Sequence, residues 1–142
     1  MIYGRDGASL SLQIRIMKNK NILIIGDILA LAIVTVIGFT THGEANTAFL
    51  PRMAAALIPI CIAWFLIAPW LGLFDAEIIS APRMLWRPAL ALLFAGPLAV
   101  VVRGLILNAT VIPIFAVVLS STSALGMIIW RWIYILIAKR YK

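Results

Sequence analysis

NILIIGDILALAIVTVIGFTTHGE, residues 21–44, is the stretch whose reading decides the fold. Residues 22–39 are 18 positions with one charged side chain among them, Asp27. As an α-helix they would extend roughly 27 Å, close to the ~30 Å hydrocarbon thickness of a bilayer. The stretch therefore reads as a first transmembrane helix. Arg15, Lys18 and Lys20 crowd one end of it and a turn containing His42 and Glu44 lies at the other, which gives the span a direction.

Composition extends that reading to the whole chain. Of its 142 residues 64% are hydrophobic and 12% charged, and the mean hydropathy is +1.10. A soluble domain keeps about a quarter of its residues charged, so most of this surface must face lipid or other apolar segments. The net charge of +7 would point to nucleic acid in a soluble chain. Here the cations sit at the ends of apolar runs, the distribution that membrane topology imposes, so no nucleic-acid partner is expected. Cys61 is the single cysteine and lies in an apolar run, where it reads as a small buried hydrophobe with no internal disulfide to form. The first apolar run is longer than a signal-peptide core and no A-x-A site follows it, so it reads as a retained anchor.

Three further apolar segments follow. Residues 53–74 carry Pro59, Pro69, Trp64 and Trp70; residues 85–102 follow a connection with Asp75, Glu77, Arg83 and Arg87; and the last runs from about Val111 to Trp130, with a basic aromatic extension beyond. Short connections make sequential helices antiparallel neighbours, so the expected fold is all-α, a four-helix transmembrane bundle with up-down topology. Its expected parts are a basic interfacial or disordered tail (1–21), the helical domain (22–137) and a short basic tail (138–142). In the first tail Leu10, Leu12, Ile14 and Ile16 alternate with polar residues, although Leu10, Ile14 and Met17 would also share a helical face.

Ten of the 12 basic residues fall on one side of this topology, and only Arg52 and Arg103 on the other. Both termini are accordingly expected in the cytoplasm, in a multi-pass protein of the cell inner membrane. Trp86, Trp130, Trp132 and Tyr134 would form an aromatic belt on the cytoplasmic side.

The polar residues divide into two sets. Toward the outer side lie His42, Glu44, Arg52, Arg103 and Asn108. A guanidinium ending an apolar helix needs a partner or water, and Glu44 is the one carboxylate on that side, so an Arg103–Glu44 latch is expected. The alternative is a small pocket for a solute, headgroup or proton. His42 with Glu44 is too sparse for a metal site, and no metal is expected. Toward the inner side Asp27 has Arg87 and Arg131 at comparable depth, either of which could neutralise it. A buried carboxylate left unpaired would protonate instead, which makes Asp27 the candidate for a proton relay within a span. Ser120, Ser121, Thr122 and Ser123 lie near the middle of the fourth span and read as packing hydroxyls, with a polar lining for a substrate, quinone or pigment as the alternative. Ala91, Ala95 and Ala99 form a small-residue row that lets another helix approach closely, inside the bundle or in self-association.

GDILALAIVTVIGFTTHGE, a Trp-rich second helix, WRP at the start of the third and VVRG at its end together resemble a family of small prokaryotic four-helix membrane proteins catalogued as a domain of unknown function. The resemblance covers residues 22–139. It implies the fold, with an aspartate at the position of Asp27 and a turn after the first helix of the form Arg-x-Ser-His-Gly. This chain keeps His42 and Gly43 but has Phe39 or Thr40 and Thr41 at the arginine and serine positions, so that arginine's role has no counterpart here.

With no phosphate loop, nucleophile elbow, nicotinamide fingerprint or paired acid and base, neither an enzyme nor a bound cofactor is expected. The leading expectation is an accessory or structural subunit packing against larger integral membrane proteins or membrane lipids. A small-solute or proton-coupled transporter is the second reading, and a lipid-, quinone- or pigment-binding protein the third.

Overall fold

The computed structural model describes the backbone of residues 5–140 except 45 and 80, and the side chains from residue 20 onward except that of Ala76. The alternating residues of the N-terminal tail and the cations Arg5, Arg15, Lys18 and Lys142 fall outside the described side chains. The chain is helical throughout its described length: α1 (Arg5–Thr41), α2 (Leu50–Ile67), a single turn α3 (Ala76–Ile79), α4 (Trp86–Leu107) and α5 (Pro113–Arg140), with short 3-10 segments at Thr47–Phe49, Ala68–Leu71 and Pro82–Met84. Among the described residues four stretches are long and apolar enough to cross a membrane: Lys20–Thr41, Thr47–Leu71, Pro82–Leu107 and Pro113–Arg140. By length and composition this is a multi-pass membrane protein.

Helix boundaries follow from local chemistry. α1 starts well inside the expected tail and runs on unbroken into the first span, so the helical reading of residues 10–17 prevails over the alternating one. It ends where Gly43 takes a left-handed φ of 73° and Gly72 later does the same at 66°, conformations that cost a side-chain-bearing residue. The Glu44 amide then donates to the Phe39 carbonyl at 2.9 Å and the Gly43 amide to Thr40 at 3.0 Å, a Schellman closure. Asn108, at φ 47°, closes α4 in the same way, with the Ala109 amide reaching the Gly104 carbonyl at 2.9 Å. The second span contains both of its prolines as expected, with different results. Pro59 is buried within α2, whereas Pro69 lies in the 3-10 segment that replaces the α-helix after Ile67.

α4 packs between α2 and α5, and α1 closes the bundle against α5 and α2. α4 turns its small residues inward: Ala91, Ala95 and Ala99 are no more than 1% exposed, and a Cβ added to Gly96 would fall 1.9 Å from Ser120 Oγ. The alanine row is thus packed within one chain. Ser120, buried against it, returns its hydroxyl to the Ala116 carbonyl at 2.7 Å. The outward-facing positions remain apolar, as Leu93, Phe94 and Ile62 illustrate, each about 60% exposed.

Candidate functional site

The two ends of the bundle hold the polar side chains, and they are built differently. At the end shared by the first half of the α1 span and the last half of α5, Asp27 is 0% exposed and faces Arg131, itself 4% exposed. Arg131 donates from Nε to Asp27 Oδ1 at 3.1 Å and from Nη2 to Oδ2 at 2.7 Å, the forked geometry that suits a guanidinium to a carboxylate. Two indoles complete the carboxylate's partners: Trp64 Nε1 donates to Oδ2 at 3.1 Å and Trp130 Nε1 to Oδ1 at 3.0 Å. Each carboxylate oxygen thus accepts two hydrogen bonds, which fills its acceptor capacity.

Close approach of Trp130 depends on the residue before Asp27. A Cβ on Gly26 would fall 1.7 Å from the Trp130 ring, so the indole lies where only a glycine backbone leaves room. The far side of Arg131 is equally occupied. Its Nη1 donates to the Leu73 carbonyl at 2.7 Å, and its guanidinium lies 5.8 Å from the Trp64 ring centre and 5.6 Å from that of Phe74. Leu73 belongs to the turn at Gly72, where the end of a helical segment leaves carbonyls without intrahelical partners. Arg87 serves the same turn, donating to the Leu71 carbonyl at 2.9 Å while its guanidinium rests 5.7 Å from the Trp86 ring. Of the two expected partners for Asp27, then, the structure selects Arg131 and gives Arg87 to the backbone. A cavity of about 10 Å³ beside Arg131 is no larger than a single water requires. This end is a closed clamp joining α1, α2, α5 and the turn after α2.

Between α1 and α5 runs a groove of about 1110 Å³ that reaches from Gly26 and Trp130, beside the clamp, past Ala56 of α2 to a polar end with His42, Glu44, Arg52 and Arg103. That volume is slightly above the ~300–1,000 Å³ typical of small-molecule sites. Its walls are mostly aliphatic, with Val118, Leu125 and Ile129 on α5 facing Leu29, Ile33 and Ile37 on α1. Three threonines line it, and all three hydroxyls are already committed: Thr35 donates to the Leu31 carbonyl, Thr41 to Gly38 and Thr122 to Val118, each at 2.8 Å. Of the four mid-span hydroxyl residues only Thr122 lines the groove; Ser120 and Ser123 are buried and Ser121 is exposed.

The structure brings His42, Glu44 and Arg103 to one groove, but it corrects the expected latch. Glu44 pairs with Arg52, at 3.8 Å with both side chains partly exposed, and makes no ion pair with Arg103. Arg52, in the first turn of α2 and eight positions on from Glu44, also rests 5.8 Å from the Phe49 ring, so the partner near in sequence wins. Arg103 instead has its guanidinium 4.9 Å from the Phe115 ring centre, and its Nε is buried without a hydrogen-bond acceptor. Nε of Arg87 shares that condition, but Arg87 has a carbonyl for its Nη1. Among the described residues Arg103 has neither an acceptor nor an anionic partner.

Sequence reasoning found the carboxylate and both basic candidates but missed the indoles. Trp130 was assigned to the aromatic belt, yet its ring nitrogen turns inward; the signal was the Gly26-Asp27 pair, a bare backbone beside a buried anion. Trp86 and Trp132, 55% and 54% exposed, do present their rings outward as a belt would. Phe115 as the seat of Arg103 had no such signal.

Comparison with known proteins adds a family and nothing nearer. No curated protein and no solved structure matches the chain. Residues 24–134, which include the whole clamp and Arg103, match a family described as protein of unknown function, DUF3054, and the chain belongs to that family.

Proposed function

We propose that this protein is a non-catalytic membrane protein that binds a lipid-like amphiphile in the groove between α1 and α5. The observation that carries the reading is the groove itself, a long aliphatic cleft ending in a group of charged side chains. Such a shape matches a molecule with an apolar tail and a polar head, and a few convergent polar groups at one end are what orient a ligand in an apolar site. The state of Asp27 supports binding over proton chemistry, since a carboxylate with four donors around it has no vacant position for a substrate. A carrier would also need polar groups between the two ends, and the Thr35 and Thr122 hydroxyls there are held by their own helices. An accessory role beside a larger membrane protein is compatible with the same groove, the amphiphile then being shared at the contact.

The proposed setting is the cell inner membrane with both termini cytoplasmic, which places the open end of the groove outward. Reporters fused after Lys142 and inserted between Gly43 and Asn46 should report opposite sides; the same side for both would reverse the topology. For the ligand, the test is extraction of the protein with its native lipids and mass spectrometry of what remains after delipidation. Retention of about one amphiphile per chain is expected, and Thr122→Trp or Val118→Trp, which fill the groove, should abolish it. Retention unchanged in both filled variants would overturn the assignment.

A further inference from the structure

The cationic end of the groove says what kind of head its occupant carries. Arg103 stands one turn before the end of α4, at the level where a membrane span meets its headgroups. An arginine in that position ordinarily pairs or is hydrated, because a buried, unpaired cation is costly. Here the guanidinium is held against the Phe115 ring, its Nε is buried without an acceptor, and the mouth's single carboxylate, Glu44, is engaged by Arg52. The other carboxylates among the described side chains do not supply the charge: Asp27 is at the opposite end with Arg131, and Asp75 and Glu77 follow α2 at that same opposite end. An aromatic ring under a guanidinium fixes its plane while leaving the N–H edges to donate, and two parallel N–H groups match two oxygens of a phosphate.

We propose that the occupant of the α1/α5 groove is an anionic membrane lipid whose phosphate is held by Arg103, with its chain lying along the aliphatic walls. The inference rests on the groove being an amphiphile site and adds the charge and chemistry of the head. His42 and Arg52 line the same mouth and add polar contacts around it, while Glu44, already countered by Arg52, disfavours a second negative charge close by. A phosphodiester head with one negative charge fits this arrangement better than a neutral quinone or a zwitterionic head, whose cation would meet Arg103.

The experiment uses the full chain in nanodiscs of equal dioleoylphosphatidylglycerol and dioleoylphosphatidylcholine, then again with a neutral quinone added. The molecules retained on gentle detergent release are counted by native mass spectrometry. Phosphatidylglycerol should be retained over phosphatidylcholine by about tenfold, the scale of a hydrogen bond to a charged group. Arg103→Gln should remove the preference and Arg103→Lys, which keeps the charge but not the fork, should leave part of it. Arg83→Gln, an exposed arginine at the other end, should leave it intact. Equal loss in Arg83→Gln and Arg103→Gln would reduce the preference to general attraction between surface arginines and acidic lipid and overturn the proposal. Retention of phosphatidylcholine or quinone that Thr122→Trp abolishes and Arg103→Gln leaves unchanged would overturn the anionic head while keeping the amphiphile groove. Retention of every probe regardless of Thr122→Trp would remove both.

Discussion

Arg131 and Arg103 are the same side chain in two opposite situations, near the two ends of one bundle. Arg131 donates through three nitrogens to a carboxylate and a backbone carbonyl, between two aromatic rings, beside a cavity of about 10 Å³. Arg103 rests on one ring beside a groove of about 1110 Å³ and has no acceptor among the described residues. The first arrangement consumes all of its own chemistry in holding helices together. The second leaves a directed cation at the polar end of the groove. In a chain this apolar, the polar group that the fold has not satisfied is a better pointer to a ligand than the one that is most deeply buried.

The largest expected effect comes from breaking the satisfied end. Removing one member of a buried ion pair leaves the other uncompensated, so Asp27→Ala or Arg131→Leu should cost about 3–5 kcal/mol of stability, measured by reversible unfolding in bicelles. Replacing both residues with leucine should recover much of that loss, since two apolar side chains carry no stranded charge. Losses that simply add in the double variant would mean that the two side chains contribute independently.

The next effect sharpens the role of Trp130. Gly26→Ala places a methyl group inside the indole's present position, so the ring must move off Asp27. A loss of ~1–3 kcal/mol is expected, with a shift in tryptophan fluorescence that reports the displaced ring. An unchanged spectrum would show that the indole does not need the bare backbone. The smallest effect belongs to the outer ion pair: Glu44→Gln should change stability by less than ~1 kcal/mol, because that pair is exposed and long. A loss comparable with that of Asp27→Ala would erase the contrast between the two ends.

The four spans were legible in the sequence because hydropathy and length are properties of each segment alone. The depth of Asp27, Arg87 and Arg131 was legible for the same reason. Which arginine meets Asp27 was not, since that depends on how each helix is rotated about its axis, and a helix facing lipid is as apolar outside as inside. The same ambiguity left the Ala91, Ala95 and Ala99 row open between the interior and an interface. At the other end, placing Arg103 and Glu44 on one side did not pair them, because Arg52 at the start of α2 competes at shorter range in sequence. The groove was invisible to sequence reasoning: its lining is ordinary span composition, and only the way α1, α5 and α2 are packed together makes it a site.

The measurement that tests the division between the two ends most directly is stability and amphiphile occupancy determined together for Asp27→Asn and Arg103→Gln. Asp27→Asn should lower the unfolding free energy while its folded fraction keeps the bound anionic lipid, and Arg103→Gln should lower occupancy by the anionic lipid about tenfold while unfolding, once corrected for lost ligand, changes little. Both quantities falling together in both variants would contradict the account, since a single cooperative unit would then be doing what it assigns to a clamp and a separate site.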